Sequence, residues 1–174
     1  MNTFRAILSV FLLLLASACA TSASLRPPDP ALAQFATIAL APVTFPSYQT
    51  LRNERAAIAT VLERALTDQL AHKGYIVVAE GSKSADASLS IAITHIWDGR
   101  LYGGEDGPTD RLYPELRLYA EVTLTDLASG MVLLRQEVQG SGLIDALLSP
   151  VPEARYTAPQ RDLAKRISRL FPRR

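Results

Sequence analysis

The stretch Pro114–Gln139, PELRLYAEVTLTDLASGMVLLRQEVQ, has the alternating pattern of a long two-stranded β-hairpin. In its first half every second residue is apolar, and charged, aromatic or hydroxyl side chains stand between them. The apolar set is Leu116, Leu118, Ala120, Val122 and Leu124. Asp126–Gly130 supplies the turn, because aspartate can accept hydrogen bonds from the following backbone and glycine tolerates a left-handed conformation. Such a hairpin is marginal alone in water, so the rest of the chain must cover its apolar face.

The second half of the hairpin continues the two faces. The apolar set is Val132, Leu134 and Val138, and the polar set on the opposite face is Arg135, Glu137 and Gln139. From Gly140 to Tyr156 we expect an irregular connector, because Pro150 and Pro152 would break any helix there.

Two other stretches have strand patterns. Phe35–Val43, FATIALAPV, is short, apolar and ended by a proline, as in a strand buried on both faces or near an edge. Ala87–Ile93 alternates with its odd positions inward, and His95 and Trp97 are expected to continue that inward register. Tyr75–Val78 is expected to be a short strand or an extended segment leading away.

Two amphipathic helices are predicted. In the first, apolar residues recur every three or four positions from Glu54 onward, with Asn53 as N-cap and Gly74 as C-cap. The second begins at Thr157–Gln160, which matches a capping box. Its apolar face carries Leu163, Ile167, Leu170 and Phe171, and its basic residues Arg161, Lys165, Arg166 and Arg169 lie largely opposite.

The order strand, helix, strand, strand, strand, helix predicts an α+β fold, with a mixed four-stranded sheet covered on one face by two helices. Burial of each large aliphatic side chain contributes roughly 1.5–3 kcal/mol, enough for the first helix to cover the hairpin. A length of 174 residues fits one domain, which we assign to residues 35–174.

The N-terminus has the pattern of a lipoprotein leader. Arg5 precedes an apolar run of secretory length, too short to span a bilayer, and Ala16–Cys19 resembles the lipobox of bacterial lipoproteins. We therefore expect residues 1–18 to be a signal peptide and residues 19–34 an acylated Cys19 with a flexible tether. Two or three acyl chains would attach the chain essentially permanently to a membrane. A plain secretory leader with an incidental Cys19 is the alternative.

Composition excludes some functions. The formal charge is +1, and the 18 basic residues less Arg5 leave 17 against 17 acidic residues, which disfavours nucleic-acid binding. The single cysteine excludes an intramolecular disulfide and a cysteine-based zinc site. No metal-ligand spacing accompanies His95, and no nucleophile motif is present, so we expect no enzyme activity, no metal and no cofactor.

The polar, glycine-rich stretch 98–113 is expected to be a flexible loop at one end of the sheet. Arg100 and Arg111, with nearby tyrosines, suit contact with a partner or a phosphorylated amphiphile. A solvated loop with its aromatic side chains folded back is the alternative.

The chain resembles the LptE family of lipopolysaccharide-assembly lipoproteins. The resemblance rests on the lipobox and on five further segments. These are FATIALAPV, VLERALTDQLAHKGYIVV, SLSIAITH, LRLYAEVTLTDLASGMVLLRQEVQGSG and DLAKRISRL. It implies an outer-membrane lipoprotein whose domain plugs the lumen of an LptD-like β-barrel, assists its assembly and contacts lipopolysaccharide. The absence of aspartate after Cys19 similarly implies sorting to the outer membrane.

Placement on the loop and on the outer strand face nominates four arginines for contact with lipid phosphates or a partner. They are Arg100, Arg111, Arg117 and Arg135. Three other functions stay open: an auxiliary lipoprotein of a lipid-transport ABC system, an activator lipoprotein of a cell-wall synthase, and a structural surface antigen.

Overall fold

The computed structural model describes residues 28–47, 55–98, 115–143 and 157–174. A 3-10 helix at Pro30–Gln34 precedes five strands and two α-helices. In chain order these are β1 (Thr37–Leu40), α1 (Arg55–Ala71), β2 (Ile76–Ala79), β3 (Ala87–Asp98), β4 (Glu115–Asp126), β5 (Val132–Leu143) and α2 (Thr157–Ser168).

The strands form one mixed sheet in the order β2-β1-β3-β4-β5. β1 is parallel to both β2 and β3, whereas β3, β4 and β5 are antiparallel neighbours. The predicted α+β class with two helices is therefore confirmed. The sheet has five strands where four were expected, because α1 carries the chain back and Ile76–Ala79 pairs in parallel with β1 as an edge strand.

The core lies between the two helices and the inner face of the sheet. α1 buries one side chain every fourth residue, and the predicted apolar sets of β4 and of the last helix are all buried. The α1 set is Ile58, Leu62, Leu66 and Leu70. β1 is buried on both faces, since Ile38 and Ala39 are each at most 1% exposed. The helix and strand periodicities thus predicted this core correctly.

A bulge in β3 reverses the predicted register. Ile93 lies opposite Ala120, but His95 lies opposite Tyr119, so Thr94 is an extra residue in the ladder. Ile96 consequently points into the core. The prediction that His95 and Trp97 continue the inward set is wrong, because one inserted residue moves every later side chain to the other face.

A second irregularity follows the hairpin turn. Leu124 pairs with Leu134 and Thr125 pairs with Val132, so one residue of β5 is unpaired between them. Leu134 and Val138 are buried as predicted, but Val132 is 57% exposed, which contradicts its expected inward position.

β5 also continues to Leu143, so the expectation of an irregular chain from Gly140 is wrong. The glycines of this segment have a packing role. A Cβ at Gly140 would lie 2.5 Å from the Leu163 Cβ, and one at Gly142 would lie 2.8 Å from the Pro159 nitrogen. Helix α2 therefore rests directly on the backbone of β5, which only glycine permits.

The helix ends match the sequence in part. Gly74 has a φ of 91° and ends α1, and Tyr75 N–H donates to Leu70 O at 3.1 Å, as expected for a left-handed C-cap. α2 begins at Thr157, but Gln160 is fully buried and its amide has no hydrogen-bond partner within the described residues. Its side chain therefore does not form the reciprocal bond of the predicted capping box. Asn53 and Glu54 lie outside the described residues.

Asp86 joins three segments at one end of the sheet. Its carboxylate accepts N–H groups of Ala36 and Thr37, both at 2.8 Å, and its backbone oxygen accepts from Leu127 N–H. The hydrogen bonds from Thr37 and Ala36 hold the pKa of the Asp86 carboxyl below its usual value. The start of β1, the start of β3 and the hairpin turn are thereby held together.

We expect Asp86→Asn to lower the free energy of unfolding at neutral pH by about 1 kcal/mol, allowing for solvent screening. The folded-state pKa is depressed, so the carboxylate stabilises the fold above the unfolded-state pKa of about 3.9. That contribution is lost as the pH falls through the folded-state pKa. Below that pH, the original chain and Asp86→Asn should have the same free energy of unfolding. Urea unfolding of the full chain at neutral and acidic pH measures it. Asp68→Asn, at an exposed position of α1, is the control. A difference that is equal at both pH values would contradict this role.

Candidate partner-binding face

The outer sides of β3, β4 and β5 form a continuous polar surface, which we call the open face. Its cross-strand rows are Trp97, Arg117 and Ser141; His95, Tyr119 and Gln139; Ala92, Glu121 and Glu137; Ser90, Thr123 and Arg135; and Ser88, Thr125 and Val132. Both described helices pack on the other side of the sheet, against the buried alternate residues. Among the described residues, no helix covers the open face.

Arg117 occupies the first row, between a carboxylate and an indole. Its Nε and one terminal nitrogen each donate to the Glu115 carboxylate at 3.0 Å. Its guanidinium lies 4.8 Å from the centre of the Trp97 ring, in cation–π contact. Planar bidentate pairing together with stacking is characteristic of arginine and unavailable to lysine. Arg117 is thus held in one orientation across the end of the sheet.

The charges of Arg117 and Glu115 stabilise each other. The hydrogen bond from Arg117 lowers the pKa of the Glu115 carboxyl. The same hydrogen bond raises the pKa of Arg117. Both side chains therefore stay ionised over the whole physiological range. The arginine side chain is still 41% exposed, so its outer edge remains accessible to a ligand.

A second ion pair lies further along the face. Arg135 donates to Glu121 at 3.1 Å, and its side chain is 68% exposed. Glu121 stands directly opposite Glu137, an arrangement of like charges that is unfavourable in an antiparallel pair. Arg135 offsets this repulsion, so this part of the open face presents two carboxylates beside one exposed guanidinium.

Between the two ion pairs lies a shallow depression. It has a volume of about 340 Å³ and is lined by Thr94, His95, Tyr119, Ala120, Glu137, Val138 and Gln139. The rings of His95 and Tyr119 are 5.7 Å apart and tilted by 47°. The β3 bulge creates this site, because it turns His95 outward beside Tyr119.

Arg117 and Arg135 therefore lie on the open face, as their positions in the hairpin predicted, although separate ion pairs hold them. Cys19, Arg100 and Arg111 lie outside the described residues. Sequence reasoning missed Trp97 and His95 as members of this surface. The polar character of Thr94 suits either face, so the residues themselves do not signal the bulge.

Within the described parts of the chain, no group of three histidine, cysteine or acidic side chains could hold a metal ion. Among the same residues, no helix is long and apolar enough to cross a membrane.

Comparison with solved structures shows a shared fold. The dodecamer of PelC from Paraburkholderia phytofirmans matches with a TM-score of 0.52 and 18% identity, covering 84% of this chain and 95% of that one. The hypothetical protein CT253 from Chlamydia trachomatis matches with a TM-score of 0.50 and 12% identity, covering 77% and 91%. At these identities the likeness concerns the fold alone. No protein-family model and no curated protein matches the sequence.

Structures with a looser likeness include bacterial lipoproteins. Lipoprotein GNA1162 from Neisseria meningitidis is 14% identical, with a TM-score of 0.45 and coverage of 67% of this chain and 90% of that one. None of the matched structures described here is named as an LptE protein.

Trp97 is the only tryptophan, so its fluorescence reports on the open face. We expect Arg117→Ala to shift its emission to longer wavelength and to increase quenching by the neutral quencher acrylamide, because the guanidinium no longer shields the indole. The free energy of unfolding should change little, as for other exposed ion pairs. Arg135→Ala removes the other ion pair of this face and should leave the emission unchanged. An identical spectrum for Arg117→Ala would contradict the stacked arrangement.

Proposed function

We propose that this chain is an outer-membrane lipoprotein of the LptE type, which binds an LptD-like β-barrel and takes part in the delivery of lipopolysaccharide to the cell surface. The observation that carries the proposal is the open face, a polar sheet surface that the described helices leave uncovered. Acylation of Cys19 would hold this surface at the membrane where such a barrel resides.

The chemistry of the open face suits a polar partner better than an apolar one. Its centre carries ionised and hydrogen-bonding side chains, with Trp97 and Tyr119 as large amphipathic contacts. Arginine and aromatic residues are the types that contribute most at protein interfaces. The lumen of a membrane barrel is polar, so a plug domain would meet it through such a surface.

Two of the alternatives require the same tether but a different partner. An auxiliary lipoprotein of a lipid-transport ABC system, or an activator of a cell-wall synthase, would also present a sheet face from an acylated N-terminus. A structural surface antigen would need no partner, and its depletion would leave outer-membrane permeability and surface lipopolysaccharide unchanged.

Co-purification of the detergent-extracted full chain tests the proposal. We expect a stable complex with a large outer-membrane β-barrel protein. Arg135→Glu should reduce the recovery of the barrel, because it places a third acid beside Glu121 and Glu137 on the open face. Arg161→Glu, at an exposed position of α2 behind the sheet, is the matched control and should leave the recovery unchanged. Recovery of only an ABC complex or a peptidoglycan synthase would exclude the LptE-type function.

Contact with lipopolysaccharide is tested separately. We expect the double variant Arg100→Ala, Arg111→Ala to reduce crosslinking to lipopolysaccharide, since guanidinium groups pair with phosphates. The double variant Arg161→Ala, Lys165→Ala removes as much charge from the surface of α2 and should crosslink like the unchanged chain. Unaltered crosslinking after loss of Arg100 and Arg111 would remove them from the site.

A further inference from the structure

Exposed apolar side chains collect at one end of the sheet, which we call the hairpin end. Registers across the sheet align Thr37 with Ile76, Ile38 with Ala87, and Ala87 with Asp126. The first residues of β1, β2 and β3 and the turn between β4 and β5 are therefore at the same end.

Four of the five large hydrophobic residues that are exposed within the described chain lie there. They are Ile76 at 60%, Leu127 at 49%, Met131 at 63% and Val132 at 57% exposure. Leu127, Met131 and Val132 surround the turn at one corner, and Ile76 begins the edge strand at the other. The fifth, Leu143, is at the opposite end of β5. An apolar cluster on a loop tip differs from the scattered apolar residues of an ordinary surface.

Basic residues lie near the hairpin end. Arg174 N–H donates to Lys73 O at 2.9 Å, so the C-terminus lies against the end of α1. Lys73 Nζ donates to Phe171 O at 2.5 Å, which holds the Lys73 side chain against the C-terminal segment. Burial and the charges of Arg173 and Arg169 lower the pKa of Lys73. Arg174 also donates to Ala33 O at 3.1 Å, beside the N-terminal segment.

The acids at this end are already engaged by the protein. Asp29 accepts from Ala31 N–H, and Asp86 accepts from Ala36 and Thr37 N–H. Asp126 accepts from Ala128 N–H and from the Ser129 hydroxyl within the turn. These hydrogen bonds hold the carboxylates in place but leave them charged, so the basic side chains contact an anionic surface with acids beside them.

The chain length places this end near the anchor. Nine residue steps join Cys19 to Pro28, the first described residue, and span at most about 30 Å when fully extended. β5 is 12 residues long. The opposite end of the sheet is therefore about 35–40 Å further away, at the usual rise of a strand. Of the two ends of the sheet, the hairpin end is therefore the one that the tether holds nearer to the bilayer.

We propose that the hairpin end of the uncomplexed chain rests on the phospholipid bilayer, with Leu127, Met131 and Val132 immersed at the level of the headgroups. Of the proposed function this uses only the lipid anchor on Cys19. Apolar side chains beside cations are the combination that binds the interface of an anionic membrane. The contact sets the orientation of the domain, with its opposite end directed away from the bilayer.

Depth-dependent quenching in vesicles tests this contact. The full, acylated chain carrying Met131→Cys is labelled with an environment-sensitive thiol dye and reconstituted into vesicles of phosphatidylethanolamine and phosphatidylglycerol containing a spin-labelled lipid. Leu143→Cys is the matched control, because Leu143 is 62% exposed against 63% for Met131 but lies at the other end of β5. Leu127→Cys provides a second reporter in the turn.

We expect lipid quenching at Met131 and Leu127 to be several-fold stronger than at Leu143, with the reverse order for quenching by aqueous iodide. Equal quenching at the two ends would overturn the proposal. Cys19 is the only natural cysteine, so an acylated chain without substitutions should take up no dye. Dye uptake by that chain would show that Cys19 is a free thiol and not acylated, which would overturn the proposal. Equal quenching in a chain that takes up no dye at Cys19 would overturn the membrane contact alone.

Discussion

The close packing of α2 on β5 determines most of the remaining structure. Gly140 and Gly142 leave no side chain between the strand and the helix, so Leu163 and Pro159 lie directly on the strand backbone. Ser141 N–H donates to the Asp162 carboxylate at 3.0 Å across the same contact. Both helices are thereby kept on one side of the sheet, and the apolar face of the hairpin is removed from water. The opposite face is left for other contacts as a direct consequence.

Two bulges determine which side chains that opposite face presents. Strict alternation would place His95 and Trp97 in the core and leave Ile96 outside. The extra residue at Thr94 exchanges these positions, which buries an aliphatic side chain and exposes two amphipathic rings. Arg117 then stacks on Trp97, and Tyr119 lies beside His95. The candidate face therefore owes His95 and Trp97 to one inserted residue in β3.

The candidate site was predictable where a single strand specifies it. The outward positions of Arg117 and Arg135 follow from alternation within the hairpin, because each alternates with residues that face the helices. Their partners were not predictable in the same way. The contact of Arg117 with Trp97 depends on the pairing register of two strands separated by a long connection. The exposed position of Val132 depends similarly on an unpaired residue after the turn.

The two proposed surfaces have different origins. The open face results from how the sheet is covered, whereas the hairpin end results from strand direction. β1, β2 and β3 all begin at the end of the sheet where β4 stops. The N-terminal segment, the C-terminus and the turn therefore meet at this end, although no short stretch of the sequence predicts it. Asp86 joins the start of β1, the start of β3 and the turn through hydrogen bonds with the backbone of Ala36, Thr37 and Leu127.

The sequence by itself determined the α+β class, both helices, the buried sets of β4 and α2, and the turn at Asp126–Gly130. These depend on the period of apolar residues and on the chemistry of single turn residues, which act locally. Only the tertiary structure decided the fifth strand, the extension of β5 to Leu143, and the outward position of His95 and Trp97. The physical reason is that pairing register and close helix contact are settled between distant segments, where a shift of one residue reverses every side chain.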